Sequence, residues 1–233
     1  MAERPPPRLT VLYRDPHWLC LDKPPGIPTT PSGPPSLDDR SVVGRARAIA
    51  PKAALHHPFS RLDTQVSGVI LLGLSHHALD LMEDMKNSGI TTRKYLGILS
   101  GVPTLLEGCW NAPIGVDPRD PKHRVAGGGR DLQPAETRYR VLAVASSGPA
   151  RVELVPVTGR THQLRVHAKA AGAPVLGDAV YGGPRRVTLA DGRVEAVPRA
   201  LLHAWRCLLP GTERVLEAPP PEDLERVWRA LAA

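Results

Sequence analysis

PVTGRTHQLRVHAKAAGAPVLGDAVYGG, residues 156–183, is the most informative stretch of this chain for its fold. A strand is predicted to end at Thr158, because the glycine that follows it allows a tight turn. A helix is predicted to begin near Thr161 and to end by Gly172, ahead of a proline. The stretch therefore indicates a strand followed directly by a short helix.

Arg165 lies inside that predicted helix, between two apolar residues. An arginine in such a position is rarely buried without a partner, so the sequence predicts a carboxylate close to it. Arg160 lies at the turn before the helix, where a helix N-terminus attracts anions, and His162 follows it. An ordinary capped helix with a solvated arginine explains this stretch about as well.

A second segment, SRLDTQVSGVILLG at residues 60–73, places Asp63 just before an apolar run that is typical of a buried strand. A rigid sheet edge can hold such an aspartate in a cleft. Arg61 shares its side of an extended segment, since side chains alternate along a strand. Taken alone, however, this segment is explained more simply by a solvated turn aspartate with a counter-charge beside it.

A third segment, TTRKYLGILSG at residues 91–101, alternates like a strand. Tyr95 can present a ring on which a nucleic-acid base stacks, with Lys94 on the opposite side of the strand. Tyrosine in a strand is more often part of a core, so this segment is a weak signal by itself.

The other predicted elements favour an α+β fold with one large, mostly antiparallel sheet flanked by helices. Strands are predicted at residues 9–14, 18–22, 69–72, 94–99, 137–145, 150–157 and 200–209, and helices at 37–50, 76–87 and the C-terminus. The basic stretch 117–131 is predicted to be irregular, either a loop that grips a nucleic acid or a solvated disordered one. We expect one domain over residues 1–233, with two fused lobes around one cleft as the alternative, and a flexible segment at residues 1–8.

The composition is that of a globular protein, with 42% hydrophobic residues and a net charge of +7. That charge favours a polyanionic partner, although the excess of arginine over lysine is also what GC-rich coding produces. No run suits a signal peptide or a membrane span, so we expect a cytoplasmic protein without membrane contact. Cys20, Cys109 and Cys207 lie far apart in apolar contexts and are predicted to be small buried hydrophobes.

Motifs of several other enzyme classes are absent from the sequence. A zinc hydrolase would need convergent ligands, but there is no HExxH, and His162 and His167 diverge on a helix. A serine hydrolase would need GxSxG. The glycines at residues 127–129 are not followed by the Gly-Lys-Ser/Thr of a phosphate loop. We therefore expect neither a metal site nor a nucleotide site.

These segments, together with DKPPGIPTTPS (residues 22–32) and LLHAWRCLLP (residues 201–210), resemble the RluA-type pseudouridine synthases. The resemblance spans approximately residues 9–220, and the stretch 156–183 is its most specific part. The family usually has histidine before Arg-Leu-Asp and threonine-serine-glycine after it, whereas this chain has Ser60 and Val66-Ser67-Gly68.

The resemblance implies an RNA uridine isomerase that uses no cofactor and no metal. The family breaks the glycosidic bond of a uridine, rotates the uracil and rejoins it to the ribose through C5. By resemblance, Asp63 is the nucleophile, Arg165 pairs with it, Tyr95 lies against the uracil and Arg61 enters the vacated RNA stack. Arg160 and its neighbour His162 are then candidate contacts to the RNA backbone or supports for the site.

Physical chemistry agrees with these roles. Desolvation in a cleft pushes a carboxylate towards its neutral form, and a guanidinium such as that of Arg165 opposes this, which would keep Asp63 ionised. Tyr95 is also a candidate for proton removal from C5, although a tyrosine pKa near 10 is a poor match for a base at neutral pH.

Two further expectations concern partners and the competing function. We expect a monomer that acts on ribosomal or transfer RNA, with no room before the first strand for the separate N-terminal RNA-binding domain that some relatives carry. The alternative is a non-catalytic RNA-binding or chaperone-like protein on the same scaffold. That alternative does not explain the joint presence of Arg61, Asp63, Tyr95 and Arg165.

Overall fold

The structure, a computed structural model, describes residues 8–31, 40–90 and 93–233. In these ranges the helices are α1 (Val42–Ile49), α2 (His76–Asn87), α3 (Gln163–Ala170) and α4 (Glu222–Ala232). The strands are β1 (Thr10–Arg14), β2 (Trp18–Lys23), β3 (His57–Pro58), β4 (Ser67–Gly73), β5 (Arg93–Leu99), β6 (Glu107–Trp110), β7 (Ile114–Val116), β8 (Arg124–Ala126), β9 (Arg130–Gln133), β10 (Thr137–Val144), β11 (Ala150–Pro156), β12 (Arg186–Thr188), β13 (Val194–Ala196), β14 (Leu202–Leu208) and β15 (Val215–Glu217).

The described residues form two compact units. Unit 1 holds the described chain up to Ile90 together with Ala204–Pro219, and unit 2 holds Arg93–His203 with Pro220–Ala233. Each unit combines helices with antiparallel strand pairs, which confirms the predicted α+β class. None of the helices in the described ranges is both long and apolar enough to cross a membrane.

Unit 1 is built around β4, whose seven residues are all buried. Its strands neighbour one another in the order β1, β2, β4 and β14 from Ala204 onward, with β3 beside β4 and β15 beside β14. The predicted hairpin is confirmed: β1 and β2 pair antiparallel, and β2 pairs antiparallel with β4. An apolar cluster that includes Trp18, Val69, Leu71 and Met82 forms the core of this unit.

Helix α2 has the bounds that its local sequence predicts. The hydroxyl of Ser75 accepts a hydrogen bond from the backbone N–H of Ala78, as a serine N-cap does. The helix buries Ala78 and Met82 against the unit 1 core. Helix α1 begins at Val42, capped by Ser41, so it is shorter than the predicted 37–50, of which residues 37–39 lie outside the described ranges.

Unit 2 contains the strand order β5, β11, β10, β6, with antiparallel pairing throughout. Helix α4 buries Leu224, Val227 and Leu231 in an apolar cluster of this unit, which confirms the predicted C-terminal stripe. The N-terminus of α4 is held by Arg199, whose guanidinium makes a two-point ion pair with Asp223.

Two predictions about unit 2 are wrong. The stretch 117–131 is not irregular throughout, because β8 and the start of β9 lie in it and both pair with β7. Cys109 is exposed, since it lies on β6 at the end of the strand order, whereas Cys20 and Cys207 are buried in unit 1 as predicted.

Candidate active site

Asp63 lies in the short loop that leads into β4, as its position in the sequence predicts. The side chains alternate in exposure along this loop: Arg61 is exposed, Leu62 is buried and Asp63 is partly exposed. The N–H of Val66 donates to the carbonyl oxygen of Asp63 at 3.0 Å, which closes a turn. Part of Asp63 is therefore exposed, while its neighbour Leu62 is buried.

The residues on both sides of Asp63 are tied to the loop that follows β2. The hydroxyl of Thr29, itself buried, accepts from the N–H of Leu62 at 2.9 Å and donates to its carbonyl oxygen at 2.8 Å. On the other side, the carbonyl oxygen of Thr64 accepts from the N–H of Gly26 at 2.7 Å. Hydrogen bonds therefore fix the backbone on both sides of Asp63, at Leu62 and at Thr64.

Lys23 adds a third tie and is wholly buried at the end of β2. Its ammonium group donates to the carbonyl oxygens of Ile27 at 2.7 Å, Pro24 at 3.1 Å and Thr64 at 3.2 Å. Lysine is almost never fully buried unless its charge is compensated. Three converging carbonyl dipoles supply that compensation, so this lysine fixes the shape of both loops. Neither Lys23 nor Thr29 is among the site residues predicted from the sequence.

Position 68, just after the loop that carries Asp63, requires a glycine. A Cβ atom at this position would lie 2.1 Å from the carbonyl oxygen of Ala204 on β14, and φ is +111°. Only glycine fits both the close approach and this backbone conformation. Val66, where the family usually has threonine, is buried.

In unit 2, Arg165 lies on α3 and is buried. Its Nε donates to Oδ2 of Asp178 at 2.6 Å and its Nη2 to Oδ1 at 2.7 Å. The predicted carboxylate near Arg165 is therefore confirmed; it belongs to Asp178, which is not among the site residues predicted from the sequence. The predicted pairing of Arg165 with Asp63 stays a prediction.

The turn before α3 differs from the predicted one. The left-handed residue is His162, with φ of 57°, rather than a glycine, and α3 begins at Gln163. The buried side chain of Gln163 organises this turn: its Oε1 accepts from the Thr158 hydroxyl and from the N–H of Arg160, and its Nε2 donates to the carbonyl oxygen of Glu136. A side chain from within the helix, and not Gly159, shapes the turn.

The side chains of Arg160 and His162 lie at this turn in different surroundings. Arg160 is exposed, and its Nε donates to the carbonyl oxygen of Pro134 at 2.9 Å. His162 is partly buried, with Nδ1 2.7 Å from the hydroxyl oxygen of Tyr181. Arg160 is therefore available to a ligand at the surface, whereas His162 supports the interior of the turn.

Tyr95 and Lys94 point to opposite faces of β5, as predicted. Tyr95 is buried and lies opposite Leu154 of β11. Lys94 is exposed, and its ammonium group lies 3.4 Å from both carboxylate oxygens of Glu153. Most of the tyrosine surface is enclosed, which fixes the ring; its stacking on a base stays a prediction.

Both ring nitrogens of His167 lie within hydrogen-bond distance of protein oxygens. It is buried, with Nδ1 2.9 Å from the Thr137 hydroxyl oxygen and Nε2 2.9 Å from the carbonyl oxygen of Ala112. Burial lowers the pKa of this imidazole, and the bond to Ala112 opposes the shift. Across residues 8–31, 40–90 and 93–233, no three histidine, cysteine or acidic side chains are grouped as metal ligands.

Comparison with known proteins identifies the family. The sequence model of the RNA pseudouridylate synthases matches residues 17–170. The chain belongs to this family. It is therefore an RNA pseudouridine synthase, an isomerase that converts uridine in RNA to pseudouridine, and the non-catalytic alternative is not supported.

Individual relatives agree with this assignment. The synthase is 36% identical over 199 residues to the dual-specificity RNA pseudouridine synthase RluA of Escherichia coli, which covers 85% of each chain. The protein of the same name from Yersinia pestis is 34% identical over 184 residues, 78% of this chain and 86% of the relative. The RluA-type resemblance is confirmed.

Solved structures support the fold. Human RNA pseudouridylate synthase domain containing 4 superposes with a TM-score of 0.74 at 26% identity, covering 95% of this synthase and 92% of the human chain. Human RNA pseudouridylate synthase domain containing 1 gives a TM-score of 0.72 at 24% identity and shows the shared fold.

Proposed function

We propose that this synthase isomerises uridines in ribosomal or transfer RNA, with Asp63 as its nucleophile. The observation that carries the proposal is that hydrogen bonds fix the backbone on both sides of Asp63. Buried hydrogen bonds hold Leu62 and Thr64 on either side of it, while the carboxylate itself is partly exposed. A reacting group must be held within a fraction of an ångström of its productive geometry, and a backbone fixed on both sides of Asp63 supports such a role.

The proposed roles of the other residues follow the chemistry of the reaction. Attack on the sugar or on the uracil needs an ionised carboxylate, and a guanidinium favours that form. We assign that guanidinium to Arg165 and the contact with the uracil to Tyr95. Extrusion of the uridine from its stack costs a few kcal/mol, which stacking on an aromatic ring, worth about 1–3 kcal/mol per base, partly offsets.

The remaining proposed contacts are made to the RNA around the target. Arg61 is exposed and two residues from Asp63, so its side chain can enter the space that the uridine leaves. Arg160 is exposed as well and can bind a phosphate, and His162 supports its turn. A relative of the same family is named a dual-specificity RNA pseudouridine synthase, so more than one class of RNA should be tested as substrate.

Three further properties belong to the proposal. The synthase acts as a monomer and in the cytoplasm. It uses no metal and no cofactor, since the isomerisation involves no net oxidation or reduction and rearranges only bonds within one nucleotide. Activity that is unchanged after prolonged treatment with EDTA would support the metal-free reaction. Loss of activity that added Mg²⁺ or Zn²⁺ restores would contradict it.

Tritium release from RNA that carries 5-tritiated uridine tests the proposal, because rejoining through C5 expels the tritium. RNA from cells that lack the gene is the substrate, separated into ribosomal and transfer fractions. We expect release by the wild-type synthase and none above background by Asp63→Asn. Asp191→Asn, at an exposed aspartate of unit 2, is the matched control and should keep wild-type activity. Equal release by wild type and Asp63→Asn would refute the role of Asp63.

A further inference from the structure

The ion pair between Arg165 and Asp178 is buried on both sides. The exposed fraction is 7% for the arginine side chain and 1% for the aspartate side chain. Two nitrogens of one edge of the guanidinium meet two oxygens of the carboxylate, at 2.6 and 2.7 Å. Such a two-point contact fixes the plane of the guanidinium as well as its position.

Stability alone does not account for this pair. A buried ion pair contributes about as much as well-packed apolar residues of the same volume, because its desolvation opposes the attraction. Replacing both Arg165 and Asp178 by apolar residues would therefore cost the fold little. What the pair provides, and an apolar residue does not, is a cation in a fixed orientation.

The backbone that carries Asp178 is itself rigidly held. Its N–H donates to the carbonyl oxygen of Val175 at 3.1 Å, and its carbonyl oxygen accepts from the N–H of Gly183 at 2.8 Å. At Gly177 a Cβ atom would lie 1.9 Å from the carbonyl oxygen of Arg199, and at Gly183 it would lie 1.8 Å from that of Val175. Glycines therefore allow the segment to pack this closely around Asp178.

The ring of Tyr181 makes a second contact with the Arg165 guanidinium. The Cζ atom of Arg165 lies 4.9 Å from the centre of the Tyr181 ring, within the range of a cation–π contact. The hydroxyl oxygen of Tyr181 accepts from the N–H of Arg124 at 3.1 Å and lies 2.7 Å from Nδ1 of His162. These contacts at the far end of the side chain prevent the ring from turning away.

We propose that Asp178 is a positioning residue of this synthase, which holds Arg165 in the orientation that the reaction needs, with Tyr181 as its second support. The proposal rests on the proposed function, in which Arg165 acts on the Asp63 carboxylate. Asp178 touches neither RNA nor the reacting atoms in this role. It acts through Arg165 alone.

Asp178→Asn is the test, because it keeps the shape of the side chain and removes the charge. Arg199 and Asp223 form the same kind of two-point pair in unit 2, so Asp223→Asn is the matched control. Tritium release is measured in single-turnover experiments between pH 5 and 9, and RNA affinity is measured by filter binding. Circular dichroism and thermal unfolding establish that each variant is folded.

We expect Asp178→Asn to be about 10- to 100-fold slower, with RNA affinity within about threefold of wild type, since small misplacements of catalytic groups have effects of this size. The pH profile of its rate should also differ from that of wild type, because a displaced guanidinium changes the charge distribution in the site. Asp223→Asn should keep the wild-type rate and profile. Tyr181→Phe keeps the ring but loses the hydroxyl contacts, and should fall between Asp178→Asn and wild type.

A wild-type rate and pH profile in Asp178→Asn would overturn the proposal. So would an equal loss of rate in Asp178→Asn and Asp223→Asn with the pH profile of both variants unchanged. If Asp178→Asn does not fold, Asp178→Glu takes its place: a slower rate at unchanged RNA affinity supports the proposal, and a wild-type rate overturns it. Wild type and Asp63→Asn are assayed in parallel. If these two do not differ, the proposed function has failed; if they differ and only Asp178 is without effect, this inference alone has failed.

Discussion

The hydroxyl of Thr29 makes two hydrogen bonds with the backbone of Leu62, one to its N–H and one to its carbonyl oxygen. Leu62 directly precedes the proposed nucleophile, so one side chain holds the approach to Asp63. Thr29→Val keeps the volume of the side chain and removes both bonds. Each buried polar group left unsatisfied costs about 1–3 kcal/mol, so we expect the free energy of unfolding to fall by about that amount or more. Urea unfolding measures it.

The same variant should also be slower in single-turnover tritium release, by about tenfold or more, because the loop that carries Asp63 is less rigidly held. Thr29→Ser is the control: it retains the hydroxyl and should recover most of both properties. A Thr29→Val variant that loses stability but keeps the full rate would show that the bonds to Leu62 do not serve the reaction.

Lys23 offers an independent test of the hydrogen bonds that hold the Asp63 loop. Lys23→Met keeps most of the side-chain volume but removes the donor that Pro24, Ile27 and Thr64 share. A hydrogen bond from a charged group contributes about 1.5–3 kcal/mol, so we expect at least that loss in the free energy of unfolding. Lys52→Met replaces an exposed lysine of unit 1 and should change stability by less than about 0.5 kcal/mol. Equal effects of the two variants would contradict the buried role of Lys23.

Elements with local signals were predictable from the sequence. Helix α2 has its predicted bounds, because Ser75 caps it and Gly89 follows its end. The supports of the site were not predictable in this way. Thr29 meets Leu62 across 33 residues, and Lys23 meets Thr64 across 41, and such contacts exist only after folding. A sequence rule that treats lysine as a surface residue fails where carbonyl dipoles surround it.

In unit 2, too, some features of the site could be predicted from the sequence and others could not. A carboxylate near Arg165 could be predicted, because a buried guanidinium needs one, but nothing in the sequence singles out Asp178 from the other acidic residues. The turn before α3 was mispredicted because a glycine signal pointed to Gly159. In the structure the buried amide of Gln163 organises the turn and His162 takes the left-handed conformation.

The three thiols should differ in their reactivity. Cys109 is exposed, whereas Cys20 and Cys207 are buried, and burial raises the pKa of the Cys20 thiol. A disulfide reagent such as DTNB should therefore modify one thiol in the native protein and three in urea. Desolvation, and then the charge of Glu136, raise the pKa of Cys109 too, so its reaction should quicken from pH 7 to pH 9. Cys109→Ser should abolish the native reaction; a remaining fast thiol would contradict the burial of the other two.

The buried imidazole of His167 makes stability depend on pH. Burial lowers its pKa in the folded state below the value of about 6.5 for an unfolded chain, so folding favours the neutral ring. Above pH 6.5 both states are neutral there and its contribution is fully present. As the pH falls below 6.5, the unfolded chain binds a proton that the folded chain does not, and stability is lost. We expect the free energy of unfolding in urea to decrease from pH 7 to pH 5.

His167→Gln separates this effect from other titrations. Its amide can still bond to Thr137 and to the carbonyl oxygen of Ala112, but it does not titrate, so the decrease between pH 7 and pH 5 should become shallower than in wild type. His76→Gln, at an exposed histidine at the start of α2, should leave the wild-type pH dependence in place. Identical pH dependence in wild type and His167→Gln would mean that His167 takes up its proton in the folded state as readily as in the unfolded chain. In that case its two hydrogen bonds, to Thr137 and Ala112, would have to open or rearrange without measurable cost.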